Sequence, residues 1–96
     1  MKTEYCIMED NPPFWRNFRF EGSHRHEIFG GMNRQRSIKD GLVIFLTPEM
    51  HNMSNRGIHF DKVFDMYAKT HGQLAWMLHY DKTIEDFRKE YGKSYL

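Results

Sequence analysis

The sequence predicts a small α+β domain, with short extended segments first and two helices at its C-terminal end. Three observations carry this. The run Leu42-Val43-Ile44-Phe45-Leu46 is apolar, β-branched in its middle and halted by Thr47-Pro48, the signature of a strand. From Asp61 the period changes: Val63, Phe64, Tyr67, His71, Leu74 and Leu78 recur at spacings of one, three or four, as on an amphipathic helix. Thr83 then opens a cap-like Thr-Ile-Glu-Asp, with Ile84, Phe87 and Tyr91 on one face and Gly92 as the stop.

The other elements follow in order. The segment 1–17 reads as irregular and aromatic: Asn11-Pro12-Pro13 fixes φ twice and removes two N–H donors. Phe14, Trp15, Phe18 and Phe20 follow closely, and some of these rings are expected to dock on the core. The alternation Phe18-Arg19-Phe20-Glu21 is strand-like, Gly22-Ser23 reads as a turn, and His24 to Phe29 is a second extended segment stopped by Gly30-Gly31. Asn33 to Gly41 is polar and forms either a short helix ended by Gly41 or a long loop. His51 to Gly57 is a second polar segment. Gly72 weakens the long helix by roughly 1 kcal/mol relative to Ala, which leaves room for a kink or break there. The 96 residues fit one domain, 1–96, made of the N-terminal segment, a strand-bearing region 18–60 and a helical part 61–96.

A chain this short buries only about 60–65% of the surface it exposes when unfolded. Domains of this size often add a metal or a partner chain to the core, and six His make a bound ion worth considering. The rings of 8 Phe, 5 Tyr and 2 Trp supply much of the area available for burial. A formal charge of +1 neither demands nor excludes a nucleic-acid partner, because the local distribution decides. The single Cys6 rules out a disulfide within the chain and a Cys-only zinc site, and suits a reducing compartment. Met1-Lys2-Thr3-Glu4 leads into no apolar signal segment, and no run approaches the roughly 20 apolar residues of a membrane span. The expectation is a soluble cytoplasmic domain.

Four of the six His fall in two clusters, His24/His26 and His51/His59, on either side of the apolar strand. Short strands ending in a His, followed by a helix carrying another, bring imidazoles from distant positions onto one ion. Neutral imidazole is a common ligand of divalent transition metals. Between the clusters lie Arg34, Arg36 and Lys39, where phosphate oxygens could be met. An ion beside a basic loop is the equipment for phosphodiester hydrolysis. Against this stands the bland alternative, in which the His are hydrogen-bonded packing and the basic residues a solvated loop. His71 and His79, within the helical part, read as packing or surface.

The runs His26-Glu27-Ile28-Phe29-Gly30-Gly31, Asn33-Arg34 and Gly41-Leu42-Val43 resemble small HNH-type nucleases encoded in phage and prophage genomes. So do Pro48-Glu49-Met50-His51-Asn52, Gly57-Ile58-His59-Phe60 and the ending Asp86 to Leu96. The resemblance covers His24 to Leu96. It implies a ββα-metal core, a short antiparallel β-hairpin and a helix gripping one divalent ion (Mg, Mn or Zn), and cleavage of DNA in an infected or lysogenic bacterium. His26 and His51 correspond to metal ligands. Asn55, at i+4 from His51, or His59 would complete the shell. His59 lies about 12 Å along a helix from His51, so it reaches the ion only if Ser54 to Gly57 loops back.

Three departures bear on activity. The family usually carries His-His before Ile-Phe-Gly-Gly, the second His being the general base; here that base position is Glu27. With an unperturbed pKa of about 4.3, Glu is a weaker base near neutrality than imidazole, and it could instead bind the ion directly. Relatives often carry a structural zinc knuckle, yet here Thr47 and Met50 stand in its later positions and only Cys6 lies upstream; the segment with Phe14 and Trp15 is expected to replace its packing. The central Asn of the HNH motif would fall near Asp40 or Gly41, and Asp40 is a candidate to bridge the hairpin ends. Two functions follow. One is a metal-dependent endonuclease or nickase, with His26 and Glu27 as its catalytic pair and Arg34, Arg36 and Lys39 on DNA. The alternative is a catalytically lapsed binding module with a DNA or protein partner, such as a phage inhibitor of a host defence nuclease or a recombination accessory.

Overall fold

The computed structural model describes residues 6–9 and 15–96. In chain order they form strand β1 (His24–Glu27), a 3₁₀ turn (Gly31–Asn33), helix α1 (Arg34–Lys39) and strand β2 (Val43–Leu46). A π-helical turn (Glu49–Met53) and helices α2 (Lys62–Tyr80) and α3 (Ile84–Tyr91) complete the order. The molecule is thus a small α+β domain: a two-stranded antiparallel sheet with helices following it.

β1 and β2 pair with His24 opposite Leu46 and His26 opposite Ile44. Side chains alternate along a strand, so these four residues share one face of the sheet. All four residues of β2 are buried, which fits a strand reading as a continuous apolar run. On the other edge of β2, Phe45 exchanges both backbone hydrogen bonds with Arg16 (3.1 and 3.0 Å).

That contact corrects one expectation. Phe18 to Glu21 forms no strand; the backbone before it bridges to β2 at Arg16, and Phe18 is left half exposed. The turn after it is present, with the Ser23 N–H donating to Phe20 O at 3.0 Å. Of the N-terminal rings, Trp15 is buried and its Nε1–H donates to Glu9 O. Phe14 and Asn11-Pro12-Pro13 lie outside the described residues.

Asn33 to Gly41 resolves as the short helix α1, stopped where Gly41 takes a φ of 80° that a side chain would strain. The buried hydroxyl of Ser37 in this helix donates to Leu42 O (2.6 Å) and accepts from the Phe29 N–H (3.2 Å). One small side chain thereby ties the end of β1 to the start of β2. Asp40 does not bridge the hairpin ends as expected. Its Oδ2 accepts from Trp76 Nε1–H (3.0 Å) and the Tyr91 hydroxyl (2.7 Å), while its carbonyl accepts from the Tyr80 hydroxyl (2.9 Å). Asp40 therefore pins the turn between α1 and β2 to both later helices. Burial, then the hydrogen bond to Asp40, pushes the Tyr91 phenol well above its ordinary range.

α2 is capped by Asp61, whose carboxylate accepts from the N–H groups of Val63 and Phe64. The helix runs unbroken through Gly72, the weak point of its sequence. Its buried face is Phe64, Ala68, Gly72, Gln73 and Trp76. The stripe predicted from periodicity faces largely outward: Val63 is 80% and Leu78 83% exposed, and Tyr67 and Leu74 are also exposed. The reason lies in what the core needs there. A Cβ on Gly72 would sit 3.2 Å from both Ile28 and Phe29, so the helix approaches the end of β1 at its smallest residue.

α3 starts with the full capping box, Thr83 accepting from the Asp86 N–H and Asp86 accepting from the Thr83 N–H. Phe87 and Tyr91 stack at 4.5 Å, and Phe29 and Trp76 meet Phe87 at 5.4 and 5.3 Å. Ile84, expected on the same face, is 40% exposed. The buried Gln73 holds the C-terminal strand of chain, donating to Ser94 Oγ (3.0 Å) and accepting from the Tyr95 N–H (2.6 Å).

Candidate metal centre

Three elements deliver the histidines. β1 carries His24 and His26 on one face, the latter buried. The π-helical turn after β2 carries His51, half-buried. The chain then doubles back: Ile58 N–H donates to Met50 O (2.7 Å) and His59 N–H to His51 O (3.2 Å). Gly57 makes the return possible. A Cβ there would fall 2.8 Å from His51 O, closer than real side chains come, and 3.0 Å from Glu49 O.

The result is a compact imidazole cluster. His26, His51 and His59 each offer a ring nitrogen, all within 4.8 Å of one another. Ring centroids lie 5.3 Å apart for His26 and His51, 5.0 Å for His26 and His59, and 4.6 Å for His51 and His59. His51 Nε2 is 2.9 Å from His59 Nε2, and His51 Nδ1 is 3.1 Å from His24 Nδ1. Nitrogens bound to one tetrahedral ion at 2.0–2.1 Å lie about 3.3 Å apart, and the His51–His59 pair at 2.9 Å is near that spacing.

Burial and the neighbouring imidazoles favour the neutral form of His26 and His51. His26 is pushed down to about 3, chiefly by burial and then by His59 and His51. His51 is lowered by burial, then by His59 and His24, with Glu27 opposing. A neutral imidazole is the ligating form. Among the described residues, His26 Nε2 is the buried side-chain nitrogen or oxygen with no hydrogen-bond partner. An orphaned buried polar nitrogen costs about 1–3 kcal/mol. A cation would satisfy it, and three imidazoles are a fitting donor set for a divalent transition metal. These three His could hold a metal ion.

The remaining predicted residues are distributed around the cluster. Glu27 follows His26 and has its two oxygens on Arg25 Nε (3.0 Å) and Arg34 Nε (3.4 Å). A pocket of about 610 Å³ opens beside it, lined by His26, Glu27, Arg34, His59, Lys62 and Lys69 among others. Arg36 is drawn away from that pocket, paired with Glu90 at 3.1 Å and lying over the Tyr91 ring. Lys39 is exposed in the last turn of α1 and does not line it. Asn55 is exposed; the π-helical turn ends at Met53, so position i+4 from His51 is not on a helix. His71 packs against Trp15 and Tyr67, and His79 lies exposed against Tyr80.

The zinc-knuckle positions have other uses. Thr47 Oγ1 accepts from the Met50 N–H (3.2 Å), closing the turn that leads to His51. Cys6 Sγ donates to Val43 O. Sequence reasoning singled out neither Lys62 nor Lys69 as pocket residues; both sit on α2, whose orientation the exposed apolar stripe disguised.

Comparison with protein-family models, curated proteins and solved structures finds no match to the chain. No helix among the described residues is long and apolar enough to cross a membrane.

Proposed function

We propose that the protein is a metal-dependent endonuclease or nickase that hydrolyses phosphodiester bonds of DNA, built on an HNH-like ββα-metal core. The observation that carries this reading is the convergence of His26, His51 and His59, with the buried Nε2 of His26 left without a partner. An all-imidazole set favours a transition ion such as zinc over magnesium, and three protein ligands leave a position for water. When bound, the ion would supply charge stabilisation at the scissile phosphate and the leaving oxygen.

The chain's own groups do the rest. Arg34, Lys62 and Lys69 line the pocket beside the cluster and receive the phosphate backbone. Glu27, in the same pocket, orients the attacking water and takes its proton. The supporting experiment is nicking of supercoiled plasmid with Mg²⁺, Mn²⁺ or Zn²⁺, abolished in His51→Ala. Undiminished cleavage by that variant contradicts the assignment.

One observation favours the second reading, a lapsed nuclease fold that binds DNA or a protein. Both oxygens of Glu27 are engaged by guanidinium groups, which hold the carboxylate in place rather than leaving it free to turn toward a water. That reading expects no cleavage with any divalent ion, while metal uptake by the His cluster persists.

A further inference from the structure

His51 makes a close contact through each of its ring nitrogens. Nε2 faces His59 Nε2 at 2.9 Å, on the side of the cluster. Nδ1 faces His24 Nδ1 at 3.1 Å, and the two rings meet edge to face with centroids 5.2 Å apart. His24 sits two residues before His26 on β1, so strand periodicity puts both on the face of the sheet that looks at His51. Pairing opposite Leu46 fixes its place, since Leu46 is buried and β2 is held along both edges.

A neutral imidazole carries one N–H. Two nitrogens at hydrogen-bond distance must therefore divide the roles of donor and acceptor. If His24 donated, the proton of His51 would lie on Nε2, pointing into the cluster and occupying the lone pair an ion requires. If His24 accepts, the proton of His51 lies on Nδ1 and its Nε2 lone pair is open toward His26 and His59. The two arrangements are mutually exclusive, and the tautomer of His24 chooses between them.

We propose that His24 is a positioning residue for the metal centre: its Nδ1 accepts the Nδ1–H of His51 and so presents the Nε2 lone pair of His51 to the ion. The inference rests on the metal reading above for its consequence, though not for its geometry. Partners of this kind on the far nitrogen of a ligating His typically change metal affinity by 10–100-fold. β1 thus contributes both a ligand, His26, and the group that orients a ligand from another element.

The test uses the full chain and two variants, His24→Ala and His24→Asn; the Asn side-chain oxygen can accept near the position of Nδ1. Zinc affinity is measured by competition with a chromogenic chelator, and the visible spectrum of the cobalt-loaded protein reports coordination geometry. His24→Ala is expected to weaken zinc binding 10–100-fold and to alter the cobalt bands, with His24→Asn recovering most of both. Separately, long-range ¹H–¹⁵N spectra of the metal-free protein at pH 8 report the tautomer of each ring. They should show His51 protonated on Nδ1 in the wild type and in His24→Asn, and mainly on Nε2 in His24→Ala.

Wild-type zinc affinity in a folded His24→Ala, or no recovery in a folded His24→Asn, overturns the proposal. If the wild type takes up no ion, the metal reading fails and the tautomer decides alone. Nδ1–H at His51 that is lost in His24→Ala then upholds the positioning role, and Nε2–H at His51 in the wild type refutes it. A variant that does not fold, judged by circular dichroism, leaves the wild-type tautomer as the deciding result in the same way.

Discussion

The helical part and the histidine-bearing part of this molecule treat buried polar groups in opposite ways. Around α2 and α3, Gln73, Asp40 and the Tyr91 hydroxyl all have protein partners, and so does Ser37 where α1 meets the sheet. Those groups behave as finished structure, tying turns and the C-terminal residues to the helices. At the sheet, His26 is also buried, yet its Nε2 has no partner among the described residues. Around it stand two more imidazoles and a pocket rather than a closing hydrogen bond. Among the described residues this atom is the buried side-chain nitrogen or oxygen left open, and it lies in the cluster of three His that could hold an ion.

The contrast can be broken most severely at its helical side. Phe87→Ala removes a fully buried ring stacked on Tyr91 and touching Phe29 and Trp76. The expected cost is about 3–5 kcal/mol, a large share of the stability of a domain this size. Chemical denaturation should show a midpoint far below wild type or no folded baseline at all.

The next effect concerns the sheet side. Zinc at a hundredfold excess over its dissociation constant should stabilise the wild type by about 2.7 kcal/mol, read as a rise in Tm. His26→Leu should lose that response entirely. Without metal it should melt no lower than wild type, because it replaces an unsatisfied buried polar nitrogen with an apolar group. A metal-free His26→Leu much less stable than wild type would mean that the histidine is ordinary packing.

Gly57→Ala separates the return loop from the helices. Its Cβ would collide with His51 O, so the loop must shift, and His59 is expected to move with it. Zinc affinity should fall at least about tenfold, the scale typical of disturbing a metal site's supporting shell. The near-ultraviolet signal of the Trp76 and Phe87 cluster should be retained.

A smaller effect follows from protonation. His26 titrates near 3 when folded and at 6.5 when exposed, so the unfolded chain binds more protons between those values. Stability from this group is therefore complete above about 6.5 and is lost as pH falls toward 3. His51 shifts in the same direction. Denaturation midpoints of the metal-free protein should decline from pH 7.5 to pH 4.5, and less steeply in His26→Leu.

Much of the architecture was legible because it rests on local chemistry. The apolar run of β2, the Gly41 stop of α1, the Thr83 capping box and the Gly92 stop act through neighbouring residues. The orientation of α2 was not legible. Its buried face is made of Ala68, Gly72 and Gln73 between Phe64 and Trp76, and small or polar residues do not register as a core stripe. Packing at Gly72 against Ile28 and Phe29 decided which face turned inward, a tertiary constraint that periodicity does not carry. Phe18 to Glu21 misled for a related reason: alternation favours a strand only where a partner edge is offered, and β2 offers its edge to Arg16.

For the site, the histidine clusters were visible as spacing, and the choice between His59 and Asn55 was posed as a question of whether 54–57 loops back. Gly57 was in the sequence as its hinge. What that hinge must avoid, the carbonyls of Glu49 and His51, appears only in three dimensions. The engagement of Glu27 by Arg25 and Arg34 was likewise invisible, because Arg34 reaches it from another element.

The most direct test of the metal centre is anomalous diffraction from crystals grown with Zn²⁺, recorded on either side of the zinc absorption edge. One strong peak per chain is expected, about 2.0–2.1 Å from a ring nitrogen of each of His26, His51 and His59, with a fourth position open toward the pocket that Glu27 lines. A crystal in which the cluster holds no ion while its three rings keep their places would contradict this expectation.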